Sequence, residues 1–436
     1  MEQVQGIRML KTASWFDKRC RSIVHSVFEK LNYGKLEVVE GSKHYYFPDN
    51  VKSDEIQGKI HIHDVSIYQD FVKAGSIGVA EAFIAGKWTS PNLTNVIRIF
   101  AKAQQQTDKL EAKKSWINRI KNTLSHWQNR NTQSGSKRNI LAHYDLGNEL
   151  YTRFLDPEMM YSSAIYPAET SSLEQAQNYK LKTICERLSL NKNDHLLEIG
   201  TGWGGLAIYA AKHYGCRVTT TTISDAQYQY AEARIQKLGL SNRITLLKED
   251  YRDLTGSYDK VVSIEMIEAV GYEFLPSFFK QCNDRLKPGG KVLIQAITIA
   301  DQRFDYYKNN VDFIQKYIFP GGFLPSVNTL SQHITEHSDL VVESLHDIGL
   351  DYAKTLNDWR INFLNSWSEL TPFGYDDNFK RLWLYYFAYC EGAFLERSTS
   401  AVHLVARKLV KVLFRSALPI YIEHIVNGYL HYQFII

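Results

Sequence analysis

The spacing of apolar positions changes character along the chain, and each change marks an element. Ile23, Val24, Val27, Phe28 and Leu31 fall at helical intervals, which predicts an amphipathic helix over 23–31. Residues 36–40 and 44–47 alternate on either side of Gly41-Ser42 and read as a short hairpin, and 60–64 reads as another strand. Residues 75–88 carry small side chains and close on a glycine turn. From Asp194 onward, short apolar runs alternate with helical periods. Strands are expected at 195–199, 217–222, 244–248, 260–264 and 291–297, with helices at 206–214, 226–238 and 274–286 among the connections. This alternation predicts a doubly wound, Rossmann-like α/β domain preceded by a smaller α+β unit. Ligands in such a fold sit beyond the carboxyl ends of the strands, so the residues just after each strand are the candidates for chemistry.

The first of those ends carries the strongest signal. Leu196-Leu-Glu-Ile-Gly-Thr-Gly-Trp-Gly-Gly205 runs from an apolar strand into a glycine loop, where the missing Cβ atoms allow a tight turn and close approach to a ligand. Gly200, Gly202 and Gly205 also fit the dinucleotide pattern G-x-G-x-x-G. Two neighbours favour a different cofactor. Glu198 is placed to anchor a cationic amino-acid tail. The second strand ends in Thr219-Thr-Thr-Thr222 with no acid before Asp225, where a dinucleotide site wants one. The loop reads as an S-adenosylmethionine site, with a dinucleotide as its rival.

Composition narrows the class. A chain of 436 residues is long enough for two or three cores, and its 44% hydrophobic and 22% charged residues suit a soluble globular protein. A net charge of +4 argues against wholesale nucleic-acid binding and leaves room for a basic patch on anionic lipid. Cys20, Cys185, Cys216, Cys282 and Cys390 show neither disulfide nor metal spacing, which fits a reducing cytoplasm and no bound metal. No apolar run is long enough to span a bilayer, and the N-terminus lacks an apolar leader core. A cytoplasmic protein, soluble or peripheral on the membrane, is expected. Residues 104–139 are rich in Lys, Gln, Asn, Ser and Arg and read as a domain linker, centred on 116–137. His61 and His63 share a strand face, but polar alternation explains them better than metal binding.

Further segments then fall into one pattern. His143-Tyr-Asp-Leu-Gly-Asn148 with Tyr161-Ser-Ser-Ala164, Thr222-Ile-Ser-Asp-Ala-Gln227, Glu249-Asp-Tyr-Arg252 and Glu265-Met-Ile-Glu-Ala-Val-Gly271 are four of them. Tyr317-Ile-Phe-Pro-Gly-Gly322, Asp351-Tyr-Ala-Lys-Thr-Leu356 and Tyr389-Cys-Glu-Gly-Ala-Phe394 are three more. Together they resemble the cyclopropane fatty acid synthases, the family that includes the mycolic acid cyclopropane synthases. The resemblance implies a class I methyltransferase domain over 138–436 and a lipid-binding domain over 1–115. It also implies transfer of a one-carbon unit from S-adenosylmethionine to cis double bonds of unsaturated phospholipid acyl chains. By the same resemblance Tyr161, Ser162, Gly200, Gly202 and Gly204 would meet the methionine end of the cofactor, Thr222 and Gln227 the ribose, and Asp250 and Tyr251 the adenine. A cap after the third strand is an equal reading of Asp250.

In the reaction implied, alkene π electrons attack a sulfonium methyl, so positioning and exclusion of water carry most of the catalysis. The carbocation then loses a proton, and the family is known to hold bicarbonate as the base. Carried over, its ligands would be Ser163, Glu268, Gln295, Ile297 and Tyr352. The chain departs from the family here: Ser163 and Gln295 stand where the family has Cys and His, and Ala269 replaces a His beside the glutamate. Ser and Gln donate hydrogen bonds to an anion but carry no positive charge. Cys390 matches an often-cited active-site cysteine, yet the chemistry needs no thiolate, and packing inside a helix is the stronger reading.

Residues 301–322, in an insertion extending to about 325, read as a cover over the substrate, with Phe304, Tyr307, Phe313, Tyr317 and Phe319 as wall candidates. Glu343 and His346 are expected to flank a late strand, and 401–407 to form the final one. Beyond it, Leu409, Val412 and Leu413 share a helical face among Lys408, Lys411 and Arg415, which suits a packed terminal helix, a homodimer contact or a membrane surface. Cyclopropane formation is the leading expectation. A methyl-branched or methylene product and a lipid-binding paralogue without turnover are the alternatives.

Overall fold

The computed structural model describes residues 14–48, 56–111 and 147–410. Ser14 and Asp17 form a capping box, and helix α1 (Trp15–Phe28) starts there, well before the predicted 23. The apolar period covers only the later turns of the helix, whereas the cap sets the true start. Strands β1 (Lys35–Glu40) and β2 (Lys43–Phe47) form the expected hairpin, and β3 (Gln57–Ile62) pairs parallel to β1. Helix α2 (Ile67–Ile84) is broken at Gly75, whose φ of 57° and ψ of −137° suit a residue without Cβ. The short β4 (Trp88–Thr89) completes a sheet of order β2-β1-β3-β4. Helix α3 (Leu93–Glu111) corrects the linker reading over 104–111: its polar composition belongs to a helix. The remaining linker, 116–137 included, and the motif residues His143 to Leu146 lie outside the described residues.

The second half opens with α4 (Asn148–Phe154) and α5 (Leu173–Arg187), followed by β5 (His195–Ile199), α6 (Gly205–Tyr214), β6 (Arg217–Thr221), α7 (Asp225–Lys237) and β7 (Ile244–Leu247). Then come β8 (Tyr258–Ile264), α8 (Leu275–Arg285) and β9 (Leu286–Ile299). The cover contains two short helices, α9 (Phe304–Lys308) and α10 (Phe313–Tyr317). It leads to α11 (Val327–His337), β10 (Leu340–Asp347), α12 (Gly349–Asn365), α13 (Trp367–Leu370), α14 (Asp377–Leu395) and β11 (Thr399–Lys408).

Seven strands lie in the order β10-β11-β9-β8-β5-β6-β7, parallel except that β11 runs against both neighbours. Leu196, Leu197, Val261, Val262, Val292 and Leu293 are buried because helices cover both faces. Strand β9 outruns the predicted 291–297, since β11 pairs with it as far as Ile299 and Leu286 already pairs with Tyr258. Glu343 and His346 lie within β10 rather than beside it, and Glu343 pairs with Lys291 and Arg407 across the sheet. Lys408 ends β11 and donates to the carbonyls of Asn283 and Leu286, so no helix begins there. Val412 and Leu413 lie outside the described residues.

The N-terminal unit packs on α14, and one continuous apolar core runs from it through α14 to α12. Val24, Phe28 and Trp88 belong to the same cluster as Phe154, Trp359 and Trp383. Polar links reinforce it: Thr94 donates to Glu391 (2.8 Å), Arg98 pairs with Glu396 (2.7 Å), and Arg381 Nε donates to the carbonyl of Ile84 (2.6 Å). Gly392 makes the close approach possible, because a Cβ there would stand 2.7 Å from Ile97 Cγ2. Gly392→Ala should cost about 1–3 kcal/mol by overpacking this contact. Urea unfolding checks it, and an unchanged midpoint would contradict the tight α3–α14 contact.

Candidate active site

A cavity of about 1430 Å³ opens at the carboxyl ends of β5, β6 and β8 and continues between the helices of the N-terminal unit. Its polar end is lined by Glu198, Gly200, Gly202, Thr222, Gln227 and Asp250; its apolar arm by Val24, Phe28, Phe71, Val79, Val96 and Phe100. It lies at the point where the strand order reverses between β5 and β8, the usual ligand position in this fold.

Sequence sets the polar end directly. Gly200, Gly202 and Gly204 have φ of 103°, 52° and 89°, a backbone path that side chains with Cβ rarely follow. A Cβ on Gly202 would meet nothing within 4 Å, so that edge of the loop is clear for a ligand. Gly204 caps α6 and approaches Ala231 of α7 instead of facing the cavity. Glu198 is 3% exposed, and its Oε2 accepts from Thr220 Oγ1 (2.6 Å), its register partner on β6. Burial pushes its carboxyl up to about 8. An acid so placed gains most by meeting a cation. Thr222 donates to Gln227 (2.9 Å), while Asp250 caps the turn after β7 and is forked by Arg252 (2.7 and 2.6 Å), so the capping reading holds as well as the cavity position. Tyr251 follows it along the cavity wall. A glycine cradle, a buried acid and polar groups at the next two strand ends fit S-adenosylmethionine.

The end of β8 holds two carboxylates. Glu265 has a φ of 48°, a conformation costing a residue with Cβ about 1–3 kcal/mol. Its Oε1 accepts from the Ser163 amide (2.9 Å) and from Gln295 Nε2 (2.7 Å), and its Oε2 accepts from the Tyr352 hydroxyl (2.7 Å). Glu268 Oε1 accepts from the Ile297 amide (2.5 Å). Both acids line the cavity, and both carboxyls are raised, first by desolvation and, for Glu268, next by the charge of Glu265. Gln295 is fixed from behind: His403 Nε2 contacts its Oε1 (2.8 Å), and Arg187 contacts His403 Nδ1 (2.5 Å). Burial and then Arg187 hold His403 well below the usual histidine range, so the ring is neutral, with Nδ1 accepting and Nε2 donating. Lys180, fully buried, donates to Ser162 Oγ (2.7 Å) and supports the 161–164 turn; burial lowers it to about 8.

These bonds already engage the donors expected to hold bicarbonate. The Ser163 amide, Tyr352 hydroxyl and Ile297 amide each have one proton, and each already meets a glutamate. The two protons of Gln295 Nε2 go to Glu265 and to the Ser163 carbonyl, and Ser163 Oγ donates to the Ala164 carbonyl. The donor set implied by the resemblance is therefore consumed by the chain's own acids.

Of the residues singled out in the sequence, Tyr161, Ser162, Ile297, Tyr352 and Cys390 also face the cavity, whereas Ser163 and Gln295 stand behind Glu265. Burial pushes the Cys390 thiol up, which suits packing rather than nucleophilic attack. Among the cover aromatics, Tyr307 and Phe319 line the cavity. Phe304 packs on Phe323, Phe313 on Tyr385 and Tyr389, and Tyr317 donates to Glu81 of α2. Glu265, Lys180, Arg187 and His403 were not singled out. An acid directly after the apolar strand β8 is the signal that could have found Glu265.

The family model for mycolic acid cyclopropane synthetase matches residues 131–404. The chain belongs to this family. It is 38% identical over 343 residues to the cyclopropane-fatty-acyl-phospholipid synthase of Escherichia coli K12, covering 78% of this chain and 85% of that protein. It is 37% identical over 329 residues to the tuberculostearic acid methyltransferase UfaA1 of Mycobacterium tuberculosis, covering 73% of this chain and 76% of the relative. In fold it resembles the cyclopropane synthase MmaA2 from Mycobacterium tuberculosis, with a TM-score of 0.58 at 24% identity over 62% of this chain and 98% of that one. The enzyme is thus an S-adenosylmethionine-dependent methyltransferase with the class I fold.

Glu198 generates a pH prediction. Below about pH 8 the free enzyme holds a proton on this carboxyl, and a bound cation favours the carboxylate, so cofactor binding should release a proton. Affinity for S-adenosylmethionine should then rise from pH 6 to about pH 8 and level off. Titration calorimetry in buffers of different ionisation enthalpy checks this. Glu198→Gln should weaken binding about tenfold or more and abolish the release; an unchanged proton count in the variant would contradict the assignment.

Proposed function

We propose that the enzyme transfers a one-carbon unit from S-adenosylmethionine to the cis double bond of unsaturated phospholipid acyl chains. The observation that supports this most is the single cavity joining the cofactor end to an apolar arm inside the N-terminal unit. An acyl chain offers only apolar surface along most of its length, and that arm has the matching character. In this reading residues 1–115 gather lipid, 138–436 carry the methyl transfer, and the cover near 301–325 closes over the chain. The tie from Glu81 of α2 to Lys316 (2.6 Å) and Tyr317 of α10 couples cover and lipid arm. Tyr161, Ser162 and the glycine loop would hold the methionine end, Thr222 and Gln227 the ribose, and Asp250 and Tyr251 the adenine.

Peripheral association with a membrane follows from the same arm. Among the described residues no helix is long and apolar enough to cross a bilayer. Trp15, Phe16, Ile23 and Val72 are nevertheless exposed on α1 and α2, and Ile23 and Val72 also line the cavity. Arg19 and Lys73 lie over the Trp15 and Phe16 rings, an arrangement suited to an anionic lipid surface.

Ring closure to a cyclopropane is the product we favour. A methyl-branched or methylene chain is the second reading, motivated by the departure from the family at Ser163, Gln295 and Ala269. Purified enzyme with methyl-labelled cofactor and monounsaturated phospholipid vesicles should yield acyl chains one carbon heavier, and unlabelled chains would sink the proposal. Ala101→Trp, which places bulk in the apolar arm, should lower turnover on vesicles by about tenfold or more with cofactor affinity retained. Full turnover in that variant would show that the acyl chain lies elsewhere.

A further inference from the structure

Glu265 stands where the fold brings three donors together, and it is held there at conformational expense. Its φ of 48° is one that glycine adopts freely and glutamate does not. The Ser163 amide, Gln295 Nε2 and Tyr352 hydroxyl come from three separate segments, and all three meet at its carboxylate. Two of these donors fill the lone pairs of Oε1, whereas Oε2 receives only the Tyr352 proton and keeps one lone pair. Behind it, Arg187 and neutral His403 orient the Gln295 amide so that its NH₂ group points at the carboxylate. Beside it, Glu268 has its Oε1 on the Ile297 amide and an Oε2 with no hydrogen-bond partner. Two neighbouring acids do not both ionise readily, and the anion better held by hydrogen bonds is Glu265 with its three donors.

We propose that the Glu265 carboxylate occupies the anion site itself and accepts the reaction's proton at Oε2, so that this enzyme works without bound bicarbonate. The inference rests on the acyl-chain reading above. The alkene π pair forms the new C–C bond, the S–CH₃ bond breaks with its electron pair left on sulfur, and the other alkene carbon becomes cationic. A C–H bond then breaks, on the transferred methyl where a ring closes or on a carbon bonded to the cationic centre where a double bond forms. Its proton passes to Glu265 Oε2, and its electron pair closes the ring or forms a double bond. No oxidant or reductant is consumed. Glu268, kept protonated by its neighbour, and Gln295 act as positioning residues, and Glu265 is the catalytic base.

Glu265→Gly and Glu265→Gln separate the possibilities. Glycine is at ease at this φ, so the first variant should fold, and removing the side chain frees the Ser163, Gln295 and Tyr352 donors for a small anion. ¹³C NMR with labelled bicarbonate should detect binding to Glu265→Gly and none to the unmodified enzyme. In methyl-transfer assays the unmodified enzyme should keep its rate in CO₂-free buffer. Both variants should lose about 100-fold or more, and only Glu265→Gly should recover when bicarbonate is added. Bicarbonate binding by the unmodified enzyme, a rate that falls when CO₂ is removed, or a fully active Glu265→Gln would each overturn the proposal. If the unmodified enzyme methylates no acyl chain, the functional reading fails, and the binding contrast still decides whether Glu265 fills the anion site.

Discussion

The rest of the site depends on one constraint: two carboxylates at the end of β8 must be kept deep in the protein without unfolding it. Glu265 meets that constraint by collecting one donor from the 161–164 turn, one from β9 and one from α12. Leaving such a charge unpaired would cost several kcal/mol (roughly, for a buried ion), so these segments are bound to one another through it. The turn is in turn fixed by Lys180 below Ser162 and by Thr355 of α12, which accepts from the Ala164 amide (3.1 Å). The acids, the cofactor loop and the cavity therefore form one arrangement rather than separate features.

That arrangement also explains the charge of the pocket. In the proposed reaction a sulfonium cofactor and a carbocation both bring positive charge into a place screened from water. In that reaction Glu198 and Glu265 at the strand ends would supply compensating negative charge without mobile solvent, and such preorganised groups act more strongly at low dielectric than in water. The apolar arm has the complementary task. It offers an acyl chain a dry surface continuous with the acids, and the common core beneath α3, α12 and α14 keeps the two halves of the cavity in register.

Much of this was legible in the sequence, for physical reasons that can be named. The β5 run and the glycines after it declare themselves because parallel central strands are continuously apolar and only glycine follows that backbone path. Threonines at the β6 end stood out by the acid they lack, and one of them satisfies Glu198. Less visible was anything settled by a local cap or a distant partner. The start of α1 is set by Ser14 and Asp17, not by apolar period, and a polar stretch read as linker continues α3. Glu265 escaped because a glutamate at positive φ looks like any other residue in one dimension. His403 reaches Gln295 only because β11 turns back along β9, where the two are register partners.

In the proposed reaction the cavity, with its cation-accepting end and apolar arm, brings a sulfonium methyl to an acyl-chain double bond. Mass spectrometry of the fatty acids of host cells fed deuteromethyl-methionine, with and without the protein, tests it most directly. Acyl chains heavier by one deuterium-bearing carbon should appear only in cells that make the protein. Identical fatty acids in both cultures, with the protein folded and the cofactor labelled, would contradict it.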